Sequence, residues 1–433
     1  MFPNPQAALP LPTRPNLEQY KKLAKDLVKA SKSQDADAIR AWATKWIETL
    51  VRLAGLSITP QMPVRIESWV NQVTDFARRK MATSKGSEPV LADAQFVIAR
   101  SHGFENWPKF AKHLEAITRK SSPVSGFEAA VDAIVTGDVA TLERLLREEP
   151  ELIRARSTRE HRATLLHYIS ANGVEGYRQK TPKNAVEIAE LLLEAGAEVD
   201  AEADVYGGGA TTLGLVATSV HPERAGVQTA LMQILMDHGA VIDHPRGAGN
   251  DDNAVNGCLH NDRPQAAEFL AAQGALLDLE GAAGVGRLDV VKGFFNDDGS
   301  LKPNATEVQM QAGFVWACEY GRKDVVEFLL DKGVDLRAGE NTGETALHLA
   351  AHRGQLEMIK LLLDRGAPLE VKNVYGGTVL GQATWSVMHG DPNIDFVPVI
   401  EALLAAGAKI GEADYPTGNE GVDEVLRRHR AKA

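Results

Sequence analysis

A chain of 433 residues is too long for one compact core, so it must build two domains or one elongated array. A hydrophobic content of 44% argues against wholesale disorder, and two widely separated cysteines, Cys258 and Cys318, exclude a disulfide framework and suit a reducing cytoplasm. The net charge of −11 is uneven: residues 1–125 hold 19 Lys and Arg against 11 Asp and Glu, the remainder 28 against 47. A basic start could meet nucleic acid, an acidic partner or the acidic remainder. With no helix-turn-helix signature, zinc spacing or Gly-rich RNA motif beside it, nucleic acid is not expected. No apolar run is long enough to span a bilayer and no charged-then-apolar leader opens the chain, so a cytoplasmic protein without membrane contact is expected.

Residues 1–15 are Pro-rich and read as a disordered lead-in. A helical N-terminal domain, 16–120, follows. Leu17, Tyr20, Leu23, Ala24, Leu27 and Ala30 share one side of a first helix. A second carries Ile39, Trp42, Trp46, Ile47, Leu50 and Leu53 and stops near Gly55. Pro60 and Pro63 break the chain before a third helix, about 65–82, and Lys85-Gly86-Ser87 form a loop. Leu91 to Arg100, then Gly103 to Pro108, lead into a further helix at about 108–118, and the aromatic residues of this module read as core. Ser121 to Ser125 mark the expected boundary.

From 126 onward a repeated unit emerges, most regular at Asn341 to Asn373. Thr345-Ala346-Leu347-His348-Leu349-Ala350-Ala351 predicts a capped first helix whose small residues allow close helix approach. Met358, Ile359, Leu361, Leu362 and Leu363 predict the buried stripe of a second helix, and Gly366 its left-handed stop. Gly-Ala stops recur at Gly196, Gly239, Gly274, Gly366 and Gly407, with Gly333-Val334 as a variant; the spacings are 43, 35, 59, 33 and 41. The 59-residue interval has room for two units, on Ala282 to Phe295 and Phe314 to Leu330. Val422 to Ala433 forms a charged helix suited to capping the stack.

The period and letters of this unit resemble the ankyrin repeat. The resemblance covers roughly 126–410, strongly at 310–410 and loosely at 245–309. Leu91 to Pro108 looks like a segment that precedes ankyrin repeats in many bacterial proteins. The resemblance implies an all-α fold, an ankyrin-repeat solenoid over 126–433 preceded by the small helical N-terminal domain. It also implies that His348 bridges neighbouring turns rather than catalysing.

Three units depart from the pattern. Val174 to Asn184 separates the helices of one, Ser219 to Arg224 those of the next, and Met388 to Pro392 those of the last full unit. Lengthened ordered loops need a reason. These carry Tyr177, His221 and His389 as acid–base candidates and Arg178, Lys180 and Arg224 as anion-holding candidates. Two Tyr-Gly-Gly turns place Tyr206 and Tyr375 near fingertips, where exposed tyrosines make good contact anchors.

Gly281-Ala282-Ala283-Gly284-Val285-Gly286 has the wrong order for a dinucleotide fingerprint and reads as a small-residue helix. No Gly-x-Ser-x-Gly elbow, Cys-x-x-Cys or His-Glu-x-x-His occurs, so no metal or cofactor is expected. Two functions remain open. One is a binding protein that recognises a macromolecular partner, a protein above all, through the concave face of its array. The other is an enzyme or small-molecule receptor whose pocket is built by loops 174–184, 219–226 and 386–393.

Overall fold

Amphipathic spacing becomes helix over more than half of the chain. The computed structural model describes residues 2–12, 14–54, 62–82, 90–119, 122–244, 253–337, 339 and 342–431, and within them lie 22 α-helices and one two-stranded hairpin. The break expected at Pro60 and the loop at 85–87 fall outside these residues. The fold is all-α, as the resemblance to ankyrin repeats implies. Two compact units divide at 251/252, inside the stretch that the repeat pattern assigns to one array.

The first unit opens with the helices Leu17–Ser31, Ala38–Leu53, Met62–Ala82, Leu91–Ser101 and Trp107–Ile117. Asn16 and Asn106 cap two of them by accepting from the backbone N–H of Glu18 and Lys109, which satisfies donors that no helical carbonyl can reach. Leu27, Ile47, Val73, Ile98 and Phe110 are buried in one core, and the aromatic residues pack there, Tyr20 edge-on to Phe110 at 5.0 Å. The lead-in departs from expectation. Leu9 is fully buried in that same core, its N–H donates to Ser101 O at 2.8 Å, and His102 Nδ1 lies 3.0 Å from the Leu9 carbonyl. One large apolar residue and its paired backbone groups are enough to dock a segment whose prolines leave it little conformational freedom to lose.

Helix pairs follow in the same unit. Pro123–Thr136 packs on Val139–Glu148, the 3-10 turn Leu166–Ser170 on Ala185–Glu194, and Thr212–Ala217 on Gln228–Asp237. Glu202–Ala203 and Ala210–Thr211 form the antiparallel hairpin, pairing Glu202 with Thr211 and Ala203 with Ala210.

The second unit stacks five helix pairs and a cap. The pairs are Ala254–His260 with Pro264–Ala272, Leu279–Gly284 with Leu288–Lys292, Glu307–Glu319 with Lys323–Asp331, Ala346–His352 with Leu356–Asp364, and Val379–His389 with Val397–Ala405. The 59-residue interval therefore does hold two pairs. Glu420–Arg430 packs on Val397–Ala405, burying Val422, Val425 and Leu426 while Arg427, Arg428 and Arg430 crowd its last turn.

A hydrogen-bond relay sets the repeat register. The Thr345 backbone N–H donates to His348 Nδ1 at 3.2 Å, and His348 Nε2 reaches the Gly377 carbonyl of the next unit at 3.4 Å. Thr164, His167 and Ala210 repeat the arrangement in the first unit at 3.2 and 3.2 Å. An imidazole that accepts at one nitrogen and donates at the other is neutral, and burial lowers both histidines below their ordinary range, His167 to about 4. Among the described residues no helix is long and apolar enough to cross a membrane.

Gly366 has φ +82° with open space where a Cβ would stand, whereas at Gly354, φ +66°, a Cβ would overlap the Ile394 side chain. Gly366→Ala should lower stability by about 1 kcal/mol through backbone strain alone. Gly354→Ala should lower it further, and urea unfolding of the two variants side by side reads the difference.

Candidate functional site

The helix Pro123–Thr136 places Glu128 and Asp132 four residues apart, hence on one face. Two guanidinium groups close on that face. Arg159 donates to Glu128 Oε1 at 2.6 Å and Arg178 to Glu128 Oε2 at 2.7 Å, so each oxygen of one carboxylate serves a different arginine. Arg178 also forks onto Asp132 Oδ1 at 3.1 and 2.8 Å. Glu175, wholly buried, lies 2.8 Å from Arg159 Nε and 3.6 Å from both His161 Nε2 and Arg178 Nη1. Arg159 Nη2 donates to Tyr177 Oη at 3.3 Å. Burial by itself pushes Glu128 and Glu175 up, but Arg159 and Arg178 at Glu128, and Arg159, His161 and Arg178 at Glu175, outweigh it and hold both carboxyls well below the usual range.

The insertion 174–184 thus turns inward. Arg178, expected to hold an anionic ligand, is bound to carboxylates of its own chain, and Tyr177 is half-buried beside it with its hydroxyl pushed up to about 12 by burial. Lys180 is exposed. Gly176 lets the insertion meet the lead-in: its N–H donates to Gln6 O at 2.9 Å, and a Cβ there would stand 2.5 Å from that oxygen. Tyr206 is exposed, yet its hydroxyl donates to Asn172 Oδ1 at 2.6 Å and accepts from Gln6 Nε2. In the loop 219–226, Val220–Arg224 forms a short helix with His221 half-buried and Arg224 exposed, and Gln228 Nε2 ties it down through the Val216, Ala217 and Ser219 carbonyls. Tyr177 and Arg178 are brought together with Glu175; His389 and Tyr375 belong to the other unit.

In that second unit the ends of the inner helices and the turns before them line a groove of about 1020 Å³. Its floor follows a register the repeat creates. Glu319, His352 and Trp385 occupy the same place in three successive units, 33 residues apart. Buried Glu319 accepts from Arg353 Nε at 3.0 Å, the same guanidinium reaches Asp262, and it lies 5.7 Å from the centre of the Tyr320 ring. Trp385 stacks against His389 at 4.7 Å and 21°, with His352 at 6.0 Å. One helical turn separates Trp385 from His389, whose Nδ1 lies 3.0 Å from the Trp385 carbonyl. Tyr375 stands on the wall: buried Asn373 accepts from the Tyr375 and Gly377 N–H groups at 3.1 and 2.9 Å, fixing the turn so that the ring projects.

Sequence reasoning singled out Tyr375 and His389 and missed Trp385, His352, Arg353 and Glu319. The 33-residue recurrence was the available signal: a tryptophan at a polar position of the pattern.

Residues 279–373 and 314–414 match the family model for ankyrin repeats, which carries three copies. The chain therefore carries ankyrin repeats in its second unit. The crystal structure of the human ASB11 ankyrin repeat domain is similar at 22% identity over 65% of this chain and 99% of that one, with a TM-score of 0.34. No curated protein matches the chain.

Arg178→Met leaves Glu128 and the wholly buried Glu175 with Arg159 as their one shared guanidinium and should destabilise the first unit by about 3–5 kcal/mol. Burial also lowers His102 to about 3 and His113 to about 4. With His167 they stay neutral in the folded unit but take up protons once unfolded. Stability should therefore be full above pH ~6.5 and fall as the pH drops toward ~4. Below ~4.5, Glu128 and Glu175 add to the loss, because only the unfolded chain protonates them readily. Chemical unfolding of the first unit at a series of pH values tests the sign.

Proposed function

We propose that the chain is a binding protein and that the groove of residues 252–433 receives a segment of a protein partner. The observation that carries this is the set of large apolar side chains left open there. Trp385 is 47% exposed, Met388 45% and Tyr375 81%, whereas the apolar side chains of the inner helices behind them are buried. Tryptophan and tyrosine give large contact areas with few rotatable bonds, the composition of interface anchors. A rigid stacked scaffold presents them at little ordering loss. The unit has 17 Lys and Arg against 27 Asp and Glu, a net −10, which repels phosphate backbones and supports a protein over a nucleic acid. Cys258 and Cys318 are buried thiols outside any disulfide, which supports the cytoplasm as the place of binding.

A photo-crosslinking amino acid placed at Met388 of the full chain, in the source cell, should give a discrete protein adduct. The same group at Asp364, on an outer helix, should not. Equal labelling from both positions would remove the groove as the binding face.

A further inference from the structure

We propose that this groove selects a cationic segment, with an arginine or lysine of the partner seated against Trp385 in an acidic lining that includes Glu344 and Glu370. The inference rests on the groove being a binding face and adds the chemistry of what it takes.

The chain supplies its own example of such a seat. Arg353 lies over the Tyr320 ring, between Glu319 and Asp262, inside the same groove. A ring face plus two carboxylates is a complete guanidinium site, since the ring quadrupole attracts the cation while the carboxylates accept its N–H groups. One unit further along, the position of Tyr320 is taken by Arg353 itself, and that of Glu319 by His352. Two units along, Trp385 holds the floor position beside His352 and His389, and among the described residues no lysine or arginine is seated over its ring.

Charge points the same way. The lining has six carboxylates, Asp262, Glu319, Glu344, Glu370, Glu412 and Asp414, against three cations, Arg353, Lys372 and Lys409. Arg353 is committed to Glu319 and Asp262. Glu344 accepts from the Thr342 hydroxyl at 2.9 Å, Glu370 from the Lys409 backbone N–H at 3.0 Å and Asp414 from the Gly411 N–H at 2.6 Å. These donors are neutral: they orient the carboxylates without cancelling their charge. Burial lowers His352 below its ordinary range, so its ring is neutral at physiological pH and leaves the balance acidic. The net −10 of the whole unit extends the same field outward and steers a cation in.

The test uses phage-displayed random twelve-residue peptides selected on the full chain, then resynthesised with a fluorophore. Selected peptides should carry arginine or lysine beside an apolar residue and bind more weakly as salt rises. Trp385→Ala, and Glu344→Gln with Glu370→Gln, should each weaken them roughly tenfold or more, as loss of a cation–π or charge-assisted contact in a desolvated site does. Asp364→Asn with Glu401→Gln, on the outer helices, should leave binding unchanged. Peptides that need Trp385 but lack a cation and ignore salt would overturn the cationic preference and keep the groove. Cationic peptides weakened equally by the outer-helix changes would overturn it as well, exposing general attraction to an acidic surface. Binding that survives Trp385→Ala and Tyr375→Ala, or no selection at all, would overturn the groove reading with it.

Discussion

A pair of short helices cannot bury its own apolar stripe; it can only press that stripe against the pair before and the pair after. Everything regular in the second unit follows from this dependence. Ala350 and Ala351 are small so that the inner helices approach, Ile359 and Leu362 point back onto them, and the buried threonine–histidine relay to the next carbonyl keeps successive turns in step. The helix after the last pair follows the same rule: its buried face is apolar, and its last turn holds three arginines.

Stacking also determines where function can sit. A residue at a given place in one repeat has a counterpart at the same place in the next, so side chains distant in sequence fall into rows. Glu319, His352 and Trp385 form such a row, and its members need not resemble one another because the scaffold does not depend on them. The relay residues are constrained, since a histidine there must remain neutral and bonded at both nitrogens; the floor of the groove is free to vary and so can carry specificity.

The first unit meets a different demand. Its insertion between Gly173 and Ala185 puts Glu175 and Arg178 into the interior, where neither charge is tolerable alone. Glu128, Asp132 and Arg159 make them tolerable together. The same insertion meets the lead-in at Gly176, so a stretch rich in polar residues acts as an internal tie rather than a solvent-facing loop.

Much of this was legible in the amino-acid order because it is local. Periodicity placed the helices from Leu17 to Leu53 and those around Leu347 and Leu362, and the six glycine stops named from the sequence appear at positive φ just beyond their helices. What tertiary structure decided is the fate of side chains whose chemistry is ambiguous. Arg178 looks the same in sequence whether it awaits an anion or is closed by Glu128, fifty residues earlier. Leu9 lies among prolines that suggest disorder, and only the core beneath it makes it an anchor. Trp385 is one more apolar residue on an amphipathic helix until the neighbouring units leave it open beside His352 and His389. Backbone preference acts over a few residues and can be read along the chain; burial and charge compensation depend on which distant groups arrive, and that is known only once the chain has folded.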